Sequence, residues 1–210
     1  MPNMTETPTT WVVVGASRGI GLEYVKQLLQ GGNRVIATAR NPDASGLEAV
    51  VKAYGNREDC IIEQCDVASS ESIDNFAARM SALKLVNLNP ESPPSKLIFI
   101  SSDSGSTTNF LAYEDGFAAY AASKAALNQM LRHMAQELKR RGGKWAEICV
   151  LALHPGEVHT DMNSGEVGTW DVGTLLEPDE SVEGMLEVIS EKNHNDTGTF
   201  WCWDGRAYPW

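Results

Sequence analysis

Short apolar, β-prone runs alternate with segments of helical spacing along most of the chain. The first run, residues 11–14, stops at Gly15, and from Ile20 the apolar residues recur at helical spacing as far as Gly31. The same alternation predicts strands at 34–39, 60–65, 96–101, 147–153 and 198–203, and helices at 47–54, 71–83, 117–141 and 181–190. Strands alternating with helices are typical of a parallel sheet with helices on both faces. The pattern therefore predicts a doubly wound, three-layer α/β/α fold.

The length of the chain favours one domain. A chain of 210 residues can bury one substantial α/β core but is short for two. We expect a single domain over residues 1–210, with a polar tail at 1–10 and a shortened junction at 85–95. No apolar run is long enough to cross a bilayer, and the polar first residues do not have the pattern of a secretory signal. A cytoplasmic location is the expectation.

Charge and cysteine content narrow the classes of ligand. A net charge of −11 argues against nucleic acid as a partner, because binding phosphate backbones needs a basic surface. The four cysteines have neither the spacing of a zinc site nor the density of a disulfide scaffold. We expect Cys60 and Cys65 to be buried as small hydrophobic residues, and we expect no metal site.

A glycine-rich turn separates the first strand from the first helix. Glycines allow a tight turn and a close approach to a diphosphate, and the amino end of a helix offers N–H donors and a positive dipole. The turn therefore predicts a dinucleotide site formed by Gly15, Ser17, Arg18, Gly19, Ile20 and Gly21.

Two arginines indicate which dinucleotide binds. Arg18 lies within the turn, and Arg40 follows the second strand, where a site for NAD normally has an acidic residue. Two guanidinium groups can hold a ribose 2′-phosphate through charge-assisted hydrogen bonds, whereas an acid there would repel it. We therefore expect NADP(H).

Five motifs in the same order resemble those of the short-chain dehydrogenase/reductase family. They are Gly15, Gly19 and Gly21 at the family's spacing, Asp66-Val67, Ser101-Ser102, Tyr120-Ala-Ala-Ser-Lys124 and Pro155-Gly156-Glu157-Val158-His159-Thr160. The segments 105–116 and 197–210 look most like the C-factor/sniffer branch of carbonyl reductases. The resemblance implies a Rossmann-type parallel sheet, a small-molecule substrate and an NADP-dependent oxidoreductase that acts on carbonyl compounds.

The resemblance also implies roles for individual residues. Ser102, which stands three residues before Gly105, would be catalytic together with Tyr120 and Lys124. Lys124 would also hold the nicotinamide ribose. Further cofactor contacts would come from Asp66, Val67, Pro155, Gly156, Val158 and Thr160.

The chemistry of Tyr120 and Lys124 can be derived from their spacing. They are four residues apart, so their side chains project from one face of a helix. An ammonium about 4 Å away favours a phenolate by roughly 4 kcal/mol at an effective dielectric constant of 20. Such a tyrosine can exchange a proton with a substrate oxygen, and the Ser102 hydroxyl can hydrogen-bond the same oxygen.

Two histidines flank the segment after the predicted fifth strand. His154 and His159 have no acidic or cysteine partner at metal-binding spacing in the sequence. We interpret both as ordinary loop histidines.

The chain departs from the family between Asp66 and Ser102, where it has only 35 residues. The family normally carries a fourth strand ending in Asn-Asn-Ala-Gly there, followed by a long helix with a catalytic asparagine. Residues 85–90 begin like that strand, with Asn87 as a candidate for its first asparagine, and then pass into a Pro/Ser-rich segment. The pattern indicates an internal deletion that shortens the fold by one strand–helix unit.

The deletion leaves two structural alternatives. In the first, residues 85–88 join the sheet through an irregular connection, because residues 89–95 are too few to form a helical crossover. In the second, residues 85–88 leave the sheet, and the strand ending at Ser102 moves beside the first strand. The missing helix normally packs on the Tyr120 helix and on a partner subunit. We therefore expect an exposed apolar face, or a homodimer with an altered interface.

Three functions are compatible with these features. The first is reduction of a carbonyl by NADP(H) through Ser102, Tyr120 and Lys124. The second is an isomerase, cyclase or lyase on the same scaffold, without net redox change. The third is a catalytically inactive, truncated binding protein.

Overall fold

The computed structural model describes residues 9–44, 46–56, 58–82, 93–110, 117–161 and 175–210. Their contacts divide the chain into two compact units, Met1–Val86 and Asn87–Trp210, and each unit has its own parallel sheet. Asn87 and residues 85–88 lie outside the described residues, so the alternatives for that segment stay predictions. The single domain over 1–210 also stays a prediction.

The first unit alternates strands and helices as its sequence pattern predicts. Its described elements are β1 (Thr10–Val14), α1 (Gly19–Gln30), β2 (Arg34–Ala39), α2 (Leu47–Tyr54), β3 (Cys60–Gln64) and α3 (Ser70–Ala82). The sheet has the order β1-β2-β3, and all its pairings are parallel. Helix α1 packs on β1, β2 and α2, and α3 packs on β3.

The register of this sheet aligns the carboxyl ends of its strands. Val14 at the end of β1 lies beside Thr38, and Ala39 at the end of β2 lies beside Gln64. The loops that follow the three strands therefore leave from one edge of the sheet. Ligands of open parallel sheets bind at this edge.

The second unit has a parallel sheet of the same kind. Its described elements are β4 (Lys96–Ile100), α4 (Ala118–Arg141), β5 (Cys149–His154), α5 (Pro178–Glu191) and β6 (Thr199–Cys202). The sheet has the order β4-β5-β6, and both pairings are parallel. The parallel α/β fold predicted from the sequence is thus confirmed in both units, in a shortened form.

The core of the second unit lies around β5. Every residue of this central strand is buried, as expected for a parallel strand covered on both faces. One cluster of buried side chains joins α4 to the sheet, and it consists of Leu131, Ala135, Ile148, Val150, Ala152 and Phe200. The carboxy-terminal Tyr208 and Trp210 pack on this cluster through the ring of Phe200.

Two predicted boundaries are wrong by two or three residues. Strand β5 begins at Cys149 rather than at 147, because residues Gly143–Glu147 form a short 3₁₀ helix. Helix α5 begins at Pro178 rather than at 181, because proline is well suited to the first helical position, where no N–H partner is needed.

The cysteines are buried as expected. Cys60 and Cys65 are 4% and 7% exposed, and Cys149 and Cys202 are also buried thiols. Burial raises the pKa of Cys60 to about 11. None of the described helices is both long and apolar enough to cross a membrane.

Candidate active site

The glycine-rich turn of the first unit is anchored to β2. Gly15 has φ +82°, a conformation that glycine adopts without strain. Its N–H donates to Thr38 Oγ1 at 3.4 Å, and the Ala16 N–H donates to the Thr38 carbonyl at 2.8 Å. The turn is therefore held at the carboxyl edge of the sheet by hydrogen bonds from its main-chain N–H groups to the side chain and the carbonyl of Thr38.

Gly21 has to be a glycine because the turn lies directly against α1. A Cβ atom at Gly21 would lie 2.3 Å from the Gly15 carbonyl oxygen and 3.0 Å from the Gly15 carbonyl carbon. Both atoms belong to the backbone, so they cannot rotate away. This close approach brings the turn against the amino end of α1.

The amino end of α1 is suited to an anion. The N-cap residue Arg18 has an extended backbone, its side chain makes no capping hydrogen bond, and the first turn contains no acidic residue. A carboxylate at this position would compete with a bound phosphate for the helix N–H groups and the positive end of the dipole. The predicted contacts Ser17 and Arg18 lie in the turn, and Gly19 and Ile20 are the first two residues of α1.

Three further predicted contacts follow β2 and β3 at the same edge. Arg40 is exposed, and its carbonyl accepts a hydrogen bond from Gln64 Nε2 at 3.2 Å. Asp66 Oδ1 accepts the Ala68 N–H at 3.0 Å, which fixes the turn after β3. Val67 is 66% exposed, so an apolar side chain is open to solvent beside this turn.

In the second unit, Ser102 opens a short 3₁₀ turn after β4. The turn spans Asp103–Gly105, and Ser102 Oγ accepts the Ser104 N–H at 3.3 Å. The Ser102 hydroxyl lies 3.1 Å from Asp103 Oδ1, to which it can donate. Ser102 itself is buried.

Gly105 brings this turn against the helix that carries Tyr120 and Lys124. A Cβ atom at Gly105 would lie 2.8 Å from both the Lys124 carbonyl carbon and the Lys124 Cβ. Lys124 Nζ in turn donates to the Ile100 carbonyl at 3.1 Å, one residue before Ser101. The predicted serine and the predicted tyrosine–lysine pair are thus on two elements in direct contact.

Asn128 is a buried residue that none of the sequence motifs includes. Its Oδ1 accepts the Ser101 hydroxyl at 2.6 Å, and its Nδ2 donates to the Gly105 carbonyl at 3.2 Å. Both ends of the serine turn are therefore bound to one α4 side chain. Its position, four residues after Lys124 on the same helical face, is the signal that could have identified it.

Replacing Gly105 with alanine is expected to destabilise the protein by about 1–3 kcal/mol, the usual cost of forcing a methyl group into a packed site. The new Cβ would push the serine turn away from the α4 backbone. Urea unfolding measures the change. Gly46→Ala is the matched control, because its Cβ would meet only the mobile end of the Leu22 side chain, at 3.2 Å. Equal stability of the two variants would contradict the prediction.

Tyr120 and Lys124 form an adjacent pair on α4. Lys124 Nζ lies 5.5 Å from the centre of the Tyr120 ring, and Tyr120 is 37% exposed. Phe117 packs edge-on against the same ring at 5.9 Å between centroids. Burial lowers the pKa of Lys124 from its ordinary value. The tyrosine side chain is thus open to solvent and beside a partly buried amine.

The segment after β5 is fixed by its backbone. Gly156 has φ +79°, and a Cβ atom there would lie 2.5 Å from Leu176 Cδ1. Leu176 also forms a parallel β-bridge with Val158. In this bridge the Leu176 N–H donates to the Glu157 carbonyl at 2.8 Å, and the His159 N–H donates to the Leu176 carbonyl at 2.9 Å. The Pro155 carbonyl accepts the Ser181 hydroxyl at 2.6 Å. The predicted contacts Pro155, Gly156 and Val158 are therefore on a well-anchored segment, and Thr160 follows at its end.

The interpretation of His154 as a loop histidine is wrong. It ends β5, it is buried, and its Nδ1 accepts the Asp103 N–H at 3.2 Å. Burial lowers the pKa of His154, although the Asp103 carboxylate partly opposes this effect. Asp103 and Glu157 each bring a carboxylate oxygen within 4.8 Å of a His154 ring nitrogen. Asp103 comes from a distant part of the sequence, so spacing along the chain could not show this partner, whereas Glu157 stands only three residues after His154.

The family model for short chain dehydrogenases matches this chain in two pieces, residues 9–89 and 81–169. The two matches meet in the region where the sequence pattern indicates a deletion. An uncharacterized oxidoreductase of Schizosaccharomyces pombe is 27% identical over 259 aligned residues, which cover 98% of this chain and all of the relative. That alignment is longer than the chain itself, so the relative has residues with no counterpart here.

Solved structures show the same relationship. An NADPH-bound carbonyl reductase from chicken fatty liver is 27% identical, with a TM-score of 0.76 over 98% of this chain and 100% of the other. The carbonyl reductase Sniffer of D. melanogaster, at 21% identity and a TM-score of 0.74, shares the fold over 98% of this chain and 100% of its own. With the family model matching more than half of the chain, the protein belongs to the short-chain dehydrogenase/reductase family of oxidoreductases.

Proposed function

We propose that this protein reduces a carbonyl compound with NADPH, using Ser102, Tyr120 and Lys124. The observation that carries the proposal is the contact between the serine turn and α4. Gly105 packs on the Lys124 backbone, and Lys124 Nζ binds the Ile100 carbonyl at the end of the strand that leads to Ser102. These contacts between the serine turn and α4 support a site in which a hydroxyl donor acts together with a tyrosine–lysine pair, as carbonyl reduction requires.

The residues of the first unit fit a phosphorylated dinucleotide. A Cβ atom at Gly21 would collide with the Gly15 carbonyl oxygen, and the side chain of the N-cap residue Arg18 makes no capping hydrogen bond at the amino end of α1. Such a helix end can bind a diphosphate, and in this proposal the exposed Arg40, which follows β2, binds the 2′-phosphate. NADPH supplies a hydride when bound. The NADPH-bound chicken reductase aligns with 98% of this chain, and this similarity supports the same cofactor here.

The protein groups in this proposal have distinct roles. The Ser102 hydroxyl hydrogen-bonds the substrate oxygen, and it must leave Asp103 Oδ1 to do so. The Tyr120 hydroxyl gives its proton to the same oxygen, and the proton is then replaced from solvent. Lys124 has three N–H donors and uses one on the Ile100 carbonyl, which leaves two for a ribose hydroxyl.

Turnover of NADPH with a panel of ketones and aldehydes tests the proposal. We expect NADPH to be consumed in a one-to-one ratio with the alcohol formed. Product formation without consumption of NADPH would instead indicate an isomerase, cyclase or lyase. An absence of any turnover across the panel would contradict carbonyl reduction.

Replacing Arg40 with serine is expected to weaken NADPH binding by about ten-fold or more, because a hydrogen-bonded charge pair contributes about 1.5–3 kcal/mol. Binding of NADH, which has no 2′-phosphate, should change much less. Fluorescence titration measures both affinities. Arg34→Ser is the matched control, since Arg34 is also exposed but begins the same strand rather than following it. Equal losses for both cofactors would contradict a 2′-phosphate role for Arg40.

A further inference from the structure

The environment of Ser102 carries a negative charge that the proposed reaction does not require. Asp103 Oδ1 lies 3.1 Å from Ser102 Oγ and accepts the Ser104 N–H at 2.9 Å. The Asp103 side chain is 14% exposed, so its carboxylate is largely enclosed by protein. A substrate oxygen that binds to the Ser102 hydroxyl must therefore approach this carboxylate.

His154 does not neutralise the charge of Asp103. Its Nδ1 is 3.5 Å from Asp103 Oδ1, but it accepts the Asp103 N–H and so carries no proton of its own. Burial lowers the pKa of the His154 ring, which favours its neutral form. The histidine holds the backbone of Asp103 in place without supplying a positive charge.

Among the described residues, the other charged groups of this site largely offset one another. Glu157 brings a second carboxylate within 4.8 Å of the Asp103 carboxylate. Arg206 is paired with Asp204 through an Nε–Oδ2 hydrogen bond of 2.6 Å, so these two charges largely offset each other. Lys124 supplies one positive charge to the site, and its Nζ is bound to the uncharged Ile100 carbonyl. Against this one cation stand the carboxylates of Asp103 and Glu157, and that of Asp103 lies directly beside Ser102.

We propose that Asp103 is a specificity-determining residue, whose carboxylate beside Ser102 disfavours carbonyl substrates with a negative charge close to the carbonyl. Neutral substrates, and those with a cationic group near the carbonyl, are favoured. The inference rests on the proposed function and names its substrate class. At an effective dielectric constant of about 20, a like charge about 7 Å away weakens the binding of an anion by roughly fifty-fold.

Three small ketones with different charges test this inference. They are pyruvate, its neutral methyl ester, and the (2-oxopropyl)trimethylammonium cation. In the wild type, kcat/KM with NADPH should be lowest for pyruvate. The decisive quantity is the ratio of kcat/KM for pyruvate to that for methyl pyruvate, because a general loss of activity cancels in this ratio.

Asp103→Asn removes the charge and keeps an oxygen that can accept the Ser104 N–H. We expect the variant to raise the pyruvate-to-ester ratio by about ten-fold to fifty-fold at low ionic strength, and to lower the ratio of cation to ester. Glu137→Gln is the control, because Glu137 is an exposed acid on α4 that pairs with Arg141. Both substrate ratios of the Glu137→Gln variant should match those of the wild type.

The outcomes separate this inference from the proposed function. A rise of three-fold or more in the pyruvate-to-ester ratio, specific to Asp103→Asn, supports the inference. A smaller rise in this ratio for Asp103→Asn, or an equal rise for Glu137→Gln, overturns the inference about Asp103 but leaves the proposed carbonyl reduction intact. If the wild type reduces none of the three ketones and nothing in the wider panel, the proposed function fails, and the inference fails with it.

Discussion

Replacing Tyr120 with phenylalanine is expected to lower kcat/KM for carbonyl reduction by about 10²–10⁴-fold, the usual contribution of a positioned general acid. The substitution removes only the hydroxyl. The phenylalanine ring can keep the edge-on contact with Phe117 and the position beside Lys124. Stability and NADPH affinity should therefore change little, and the loss should fall on turnover. Steady-state kinetics with any ketone reduced by the wild type measures the effect.

Tyr54→Phe is a closely matched control for this variant. Tyr54 is 41% exposed, and Lys26 Nζ lies 5.9 Å from the centre of its ring, so it reproduces the tyrosine–lysine arrangement of Tyr120 in the first unit. It should retain full activity. If Tyr120→Phe also retained wild-type turnover, Tyr120 would not be the proton donor and the proposed mechanism would be wrong.

Replacing Gly21 with alanine is expected to weaken NADPH binding by at least about 30-fold, which corresponds to roughly 2 kcal/mol of strain from overpacking. The new Cβ would lie 2.3 Å from the Gly15 carbonyl oxygen, so either the turn or α1 has to move. Both bind the diphosphate in the proposed complex. Calorimetric or fluorescence titration with NADPH measures the loss.

Gly31→Ala is the control for this second prediction. Gly31 follows the opposite end of α1, has φ −77°, and its Cβ would meet mainly the Asn33 side-chain amide at 3.1 Å. We expect near-normal NADPH affinity in this variant. An affinity loss of similar size in both variants would indicate a general effect on α1 rather than a specific effect on the turn.

Features that depend on neighbouring residues could be predicted from the sequence. The strand–turn–helix around Gly15 is one example, because the apolar run, the glycines and the helical spacing are all local signals. The bounds of β2 and α2 were predicted to the residue for the same reason. The tyrosine–lysine pair lies on one helix face because of its four-residue spacing alone.

Features that depend on contacts between distant segments could not be predicted. Asn128 is an ordinary polar residue in the sequence, and only the approach of the serine turn to α4 shows what it binds. His154 is separated from Asp103 by 51 residues, and the pairing of β4 with β5 brings them together. An isolated asparagine or histidine gives no local signal of such a partner.

The described strands form two separate sheets, and this separation has a consequence for synthesis of the chain on the ribosome. Among the described strands, each pairing joins two strands of the same unit. The pairings of the first unit involve only residues between Thr10 and Gln64. Amino-terminal segments emerge first and generally fold as units. All the hydrogen-bonding partners of the first sheet are therefore available before β4 has been translated, and the nascent chain can form its glycine-rich turn early.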